Sequence, residues 1–88
     1  MIINIAHLKK KITYRSKYRG TKEMDKLLSS FTQKYIDTFN DVELNYLIDL
    51  LDIDDENLYK FNQGEEISIK FNVNKVTELF KNFIYKND

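Results

Sequence analysis

Arg19, Gly20 and Glu23 form the pattern Arg-Gly-x-x-Glu within Tyr14-Arg15-Ser16-Lys17-Tyr18-Arg19-Gly20-Thr21-Lys22-Glu23-Met24-Asp25. Arginine presents a planar fork of donors that suits oxyanions such as carboxylates. Glutamate can meet a cation, and a glycine between them permits positive φ or close backbone approach. Opposed charges around a backbone specialist are the chemistry of recognition.

Other candidates for catalysis are weaker. His7 is the single histidine, with no acid within four residues and no cysteine in the chain, so it reads as a surface or rim residue. Tyr14, Tyr18, Tyr35, Tyr46, Tyr59 and Tyr85 read as walls of amphipathic helices rather than catalysts. Asp49, Asp52, Asp54, Asp55 and Glu56 invite a calcium loop, which needs glycine at its sixth position and glutamate at its twelfth. Counted from Asp52 those positions hold Asn57 and Gln63; counted from Asp54 the sixth is Tyr59. Helix capping explains most of these acids better. Gly20 and Gly64 are the only glycines, and they are not spaced for a phosphate loop. The sequence describes a binder, not an enzyme.

With 88 residues the chain has the size of one small domain, 1–88, that buries roughly 60–65% of its unfolded surface. A content of 42% apolar and 32% charged residues is that of an ordinary globular protein. The lack of cysteine removes disulfides and thiolate metal sites together. No apolar run approaches the ~20 residues of a membrane span. Net charge is zero but segregated: residues 1–26 hold eight bases and two acids, and residues 27–88 hold six bases and twelve acids. Such asymmetry either orients an encounter with a charged partner or lets the two halves attract one another within the fold. The acid-free opening has the composition of a mitochondrial transit peptide. It runs straight into the motif without a cleavage-like break and reads as a helix of the fold. Lys9, Lys10, Lys11, Arg15, Lys17 and Arg19 could neutralise phosphates, yet the acidic remainder would repel a nucleic-acid backbone and no reading helix is evident. Nucleic acid is not the expected partner.

The elements that must position the motif follow from periodicity. Ile5, Leu8 and Ile12 predict a first helix over roughly 4–17 with a basic last turn, and Gly20 predicts a chain reversal and helix C-terminal cap. Met24, Leu27, Leu28, Phe31 and Tyr35 form the strongest stripe and predict a helix over about 21–36. Asn40 and Glu43 make a capping box, with Phe39 and Leu44 as staple; Leu44, Leu47, Ile48 and Leu51 are the buried face of a helix over 41–52. Asp54 caps a short helix that ends near Gly64 and turns Leu58 and Phe61 inward. Ile67, Ile69, Phe71 and Val73 alternate with polar residues, which predicts an extended, packed segment over 67–73. Asn72 is then expected to cap a last helix, lined by Val76, Leu79, Phe80 and Phe83, to about residue 85. The expected fold is an all-α, single-domain bundle of about five helices.

The run Tyr14-Arg15-Ser-x-x-Arg19-Gly20-Thr21-Lys22-Glu23-Met24-Asp25-x-Leu27-Leu28 closely resembles the flavinator family of succinate dehydrogenase assembly factors. The resemblance continues through Phe31, Leu50-Leu51 and Asp54-Asp55-x-x-Leu58-Tyr59-x-Phe61, covering about residues 12–62. It departs at Phe61, where the family usually has Trp, and at Asn57, where it usually has an acid. The resemblance implies a small soluble helical protein that binds the flavoprotein subunit of succinate dehydrogenase, or sometimes fumarate reductase, and promotes covalent attachment of FAD to a histidine of that subunit. By position, Arg19, Gly20 and Glu23 would be the partner-facing motif, with Arg15, Tyr18 and Asp25 beside it. Arg19 is expected to donate to the partner, with Glu23 orienting it or meeting a partner cation. FAD belongs to the partner, so neither a tightly bound cofactor nor a metal is expected here. The chain is expected to act as a monomer in the cytoplasm, or in the mitochondrial matrix if eukaryotic. From the residues alone, an antitoxin-like regulator or another interaction module on the same bundle stays open.

Overall fold

A residue with a capping side chain stands at the head of every helix. The computed structural model describes residues 4–67, 70 and 72–85. Five α-helices run in order, α1 (Ile5–Lys17), α2 (Lys22–Tyr35), α3 (Asp41–Leu51), α4 (Asp55–Asn62) and α5 (Lys75–Lys81), and a 3-10 turn (Ile36–Thr38) follows α2. Asn4, Thr21, Asn40, Asp54 and Asn74 each accept a hydrogen bond from a backbone N–H of the first turn, satisfying a donor the helix itself leaves unpaired. The expected box at α3 is complete: the Asn40 side chain accepts from the Glu43 N–H at 2.8 Å, and Glu43 accepts from the Asn40 N–H at 2.9 Å.

The apolar stripes meet in one core. Ile12 of α1 lies beneath Leu27, Leu28 and Phe31 of α2, and Leu44, Leu47, Leu50 and Leu51 come from α3. Leu58, Val76 and Phe80 complete it from α4 and α5. α3 packs against both α1 and α5. Phe31, fully buried, meets Phe80 and Phe83 edge to face at centroid distances of 5.2 and 5.4 Å, a favoured aromatic geometry. Several stripe residues, Leu8, Tyr35, Ile48, Phe61, Leu79 and Phe83, are only half-buried against the core, Leu50 joins the core unexpectedly, and Ile5 at the open end of α1 is 36% exposed. Ser16 replaces Ile5 on the buried face of α1, its hydroxyl satisfied by donating to the Thr13 carbonyl at 2.9 Å.

The C-terminal third departs further. Asn74, not Asn72, caps α5, because Thr77 stands three residues on and closes a reciprocal box: its N–H donates to Asn74 and its hydroxyl accepts from the Asn74 N–H, both at 2.9 Å. Asn72 contributes its carbonyl instead, which accepts from the Thr77 hydroxyl at 3.0 Å. The helix ends at Lys81 rather than near 85. The buried Asn62 amide ties this end down by donating to the Phe80 and Phe83 carbonyls at 2.8 and 2.9 Å. Of the segment expected to be extended and packed, Ser68, Ile69 and Phe71 lie outside the described residues. Val73 is 81% exposed and does not pack as the alternation suggested. Among the described residues there is no strand, and no helix is long and apolar enough to cross a membrane.

Candidate functional site

Four residues, Tyr18 to Thr21, reverse the chain between α1 and α2. Tyr18 is the C-cap of α1, so Gly20 lies two residues past the cap and makes the turn rather than ending the helix. Its φ of +128° is a conformation that side chains disfavour, while the space around it is open: an added Cβ would meet only Asp55 Oδ2, at 3.9 Å. Backbone shape, and not crowding, calls for glycine there. Asp25, in the first turn of α2, reaches back so that its carboxylate accepts from the N–H groups of both Arg19 and Gly20. This holds the turn against the helix it precedes.

Arg19 points inward. Its side chain is only 11% exposed, and all three guanidinium nitrogens are engaged. Nε donates to Asp55 Oδ1 at 2.9 Å, Nη1 to the Leu51 carbonyl at 2.6 Å and Nη2 to the Ile53 carbonyl at 2.6 Å. The guanidinium thus meets carbonyls at and beyond the end of α3, the negative end of that helix, and an acid in the first turn of α4. Arg15, on the last turn of α1, joins the same turn through Asp52 Oδ1 at 2.6 Å. Arg19 is therefore oriented by Asp55 and the α3–α4 turn, not by Glu23, and three of its five N–H donors serve the fold.

The acidic cluster acquires a matching explanation. Asp54 caps α4, while Asp52 and Asp55 hold the two arginines and Glu56 pairs with Lys60 within α4. Capping alone accounts for less of it than expected. Among the described residues no group of His, Cys, Asp or Glu is placed to hold a metal ion. The Asp54 carboxyl is held below the usual carboxylate range, chiefly by the hydrogen bond from the Asn57 amide at 2.8 Å, with the charge of Arg19 a smaller contribution. Lys9–Asp37, Arg15–Asp52 and Arg19–Asp55 each join a base of the first 26 residues to an acid of the remainder, so the segregated charges do attract within the fold.

The outer side of the junction is different. Glu23 is exposed and, among the described residues, makes no hydrogen bond or ion pair. Lys10, Lys11, Lys17, Lys22 and Lys26 are likewise exposed, and their ammonium groups make no ion pair among the described residues. Tyr14 and Tyr18, one helical turn apart, are 66% and 68% exposed, with ring centroids 4.7 Å apart. They form a surface aromatic pair, where wall residues were expected. His7 is exposed as expected. Of the six residues the sequence singled out, the structure turns Glu23 and Tyr18 to solvent, uses Arg15, Arg19 and Asp25 as ties, and gives Gly20 the turn.

Glu23 also lines a groove of about 710 Å³ together with Lys22 and Lys26 of α2, Tyr59 and Gln63 near α4, and Phe83–Tyr85 after α5. The sequence reading missed Tyr59 and Ile84 as surface features. Their signal is visible in hindsight as apolar bulk off the helical stripes. No curated protein and no solved structure significantly matches the chain. A family model described as flavinator of succinate dehydrogenase matches residues 10–84, beyond the stretch in which the motif is legible, and the chain belongs to that family.

Proposed function

We propose that this chain is an assembly factor that binds the flavoprotein subunit of succinate dehydrogenase, or of fumarate reductase, and promotes covalent attachment of FAD to it. The observation that carries this reading is the state of Glu23. It is a carboxylate without a partner among the described residues, at the head of α2, beside a turn whose neighbouring charges Arg15, Arg19 and Asp25 are tied down. The backbone that carries Glu23 is held by these ties, which leaves only its side chain to be ordered by a partner. Tyr18 and Tyr14 offer amphipathic contact area beside it.

In this reading FAD is the partner's cofactor, and the partner's own histidine forms the bond to the flavin. That bond would replace a C–H bond of the flavin and the N–H of the histidine, with both protons released. The electron pair would be taken up by the flavin itself, so that negative charge would gather on the isoalloxazine ring. A helper need supply no nucleophile and is no enzyme: it holds the flavoprotein in a competent conformation, and its field favours the developing charge. Arg19 acts as a positioning residue, Gly20 shapes the turn and Glu23 makes the contact. The chain would act as a monomer in the bacterial cytoplasm or the mitochondrial matrix.

The test combines apo-flavoprotein, FAD and this chain, wild type beside Glu23→Ala. Flavin fluorescence in a denaturing gel reports covalent attachment. Wild type is expected to form the complex and raise covalent flavin, while Glu23→Ala does neither with an unchanged melting temperature. A wild type that neither binds nor alters flavin loading would end this reading.

A further inference from the structure

The groove beside Glu23 extends well beyond the motif, and its composition is lopsided. Lys22, Lys26 and Lys81 all line it, and none of the three ammonium groups has an ion-pair partner among the described residues. Glu23 is the single acid in the lining. The apolar part comes largely from the segment after α5, where Phe83 packs edge-on against Phe31 and Ile84 is left 76% exposed. That segment is held in place: the Asn62 amide donates to the Phe83 carbonyl at 2.9 Å, and Lys34 stands 5.8 Å above the Phe83 ring. A buried amide thus keeps an exposed isoleucine beside three unpaired cations. The groove's 710 Å³ falls within the range that accommodates a few side chains.

We propose that this groove receives an acidic segment of the flavoprotein partner, its carboxylates between Lys26 and Lys81 and an apolar side chain against Ile84. Charge complementarity selects the acidic occupant, since the unpaired lysines outnumber the one acid of the lining. The exposed isoleucine and the half-exposed Tyr59 favour a protein segment over a phosphate backbone, which has nothing apolar to offer them. The inference rests on the assembly-factor reading and adds to it a second contact, reaching from Glu23 to the end of the chain.

The experiment measures binding of the full chain to apo-flavoprotein across a salt series for wild type, K26E/K81E and Ile84→Asp. A second arm places a photo-crosslinking amino acid at position 84, with one at position 18 as reference. Both lysines and Ile84 are exposed, so the melting temperature should not move. Charge reversal is expected to weaken binding by about tenfold or more at low salt and to flatten its salt dependence. Ile84→Asp should also weaken it, and the crosslink at 84 should map to a peptide rich in Asp or Glu. Wild-type affinity in both variants, with position 84 silent while position 18 crosslinks, would overturn the groove and leave the assembly-factor reading standing. A crosslinked peptide without acids would overturn it too, as would an oligonucleotide that binds this groove more tightly than the flavoprotein. No wild-type binding at all removes both readings together.

Discussion

The two sides of the α1–α2 junction are built from the same dozen residues and do opposite work. Arg15, Arg19 and Asp25 face the protein and grip the α3–α4 turn or the junction's own backbone. Tyr14, Tyr18, Lys22 and Glu23 face solvent, and Glu23 and Lys22 have no ionic partner among the described residues. The contrast is sharpest between Glu23 and Asp25, acids two positions apart in one helical turn. One satisfies two backbone N–H groups and the other satisfies none. A motif of charged residues is therefore not a surface by default. Here part of it is the clamp that presents the rest.

That division predicts a graded series of substitutions. Arg19→Ala should have the largest effect on stability, because it leaves the Asp55 carboxylate and two carbonyls short of donors in a poorly solvated turn. A loss of about 3 kcal/mol is expected, or a fall in melting temperature on the order of 15 °C for a domain of this size. Arg19→Lys should recover little of it, since an ammonium cannot span three acceptors held in a fork. An Arg19→Ala protein with a wild-type melt would break the comparison outright.

Gly20→Ala comes next. Nothing crowds the site, so the cost is the strained backbone alone, about 1–3 kcal/mol. A cost near zero would mean that the turn relaxes, and then the position of Glu23 should shift with it. Arg15→Ala removes a bridge whose two side chains are 32% and 63% exposed, and should cost only about 0.5 kcal/mol. Glu23→Ala should be smallest of all in stability, within about 0.5 kcal/mol of wild type, while abolishing covalent flavin loading. Thermal melts and in-gel flavin fluorescence on the same four proteins separate clamp from contact.

A pH series sharpens a different part of the scaffold. Lys75 Nζ, 2.8 Å from Glu43 Oε2, and the Asn40 N–H hold the Glu43 carboxyl below its ordinary value, and hydrogen bonds from Asn57 do the same for Asp54. Groups with a lowered folded pKa contribute fully above their unfolded pKa and lose that contribution as pH falls through the folded one. Melting temperature should therefore hold through neutrality and drop below the usual carboxylate range. Glu43→Gln should lessen that drop, as measured by thermal melts between neutral pH and strong acid.

How legible the molecule was depends on how far apart the deciding residues lie. α3 was read to within a residue, because Asn40, Glu43 and its leucines all speak within a few positions of one another. α5 was misplaced for the converse reason. Asn72 and Asn74 both look like caps and the nearby Thr77 hydroxyl decides between them, but the far end of the helix meets an amide, Asn62, from 18 positions away. The alternation over 67–73 suggested packing, yet Val73 meets no neighbouring layer and stays exposed. At the junction, the motif itself and the need for a glycine were plain in the sequence. The destination of Arg19 was not.

Helix number, caps, the absence of disulfides and the segregation of charge were determined by the sequence itself, because each depends on composition or on residues a turn or two apart. Which charges became ties and which stayed free was decided only in three dimensions. Arg15 and Arg19 find their acids 37 and 36 positions away, at and beyond the end of α3, which packs against α1. No local pattern records that distance. Glu23 stays at the surface, and among the described residues no cation is paired with it.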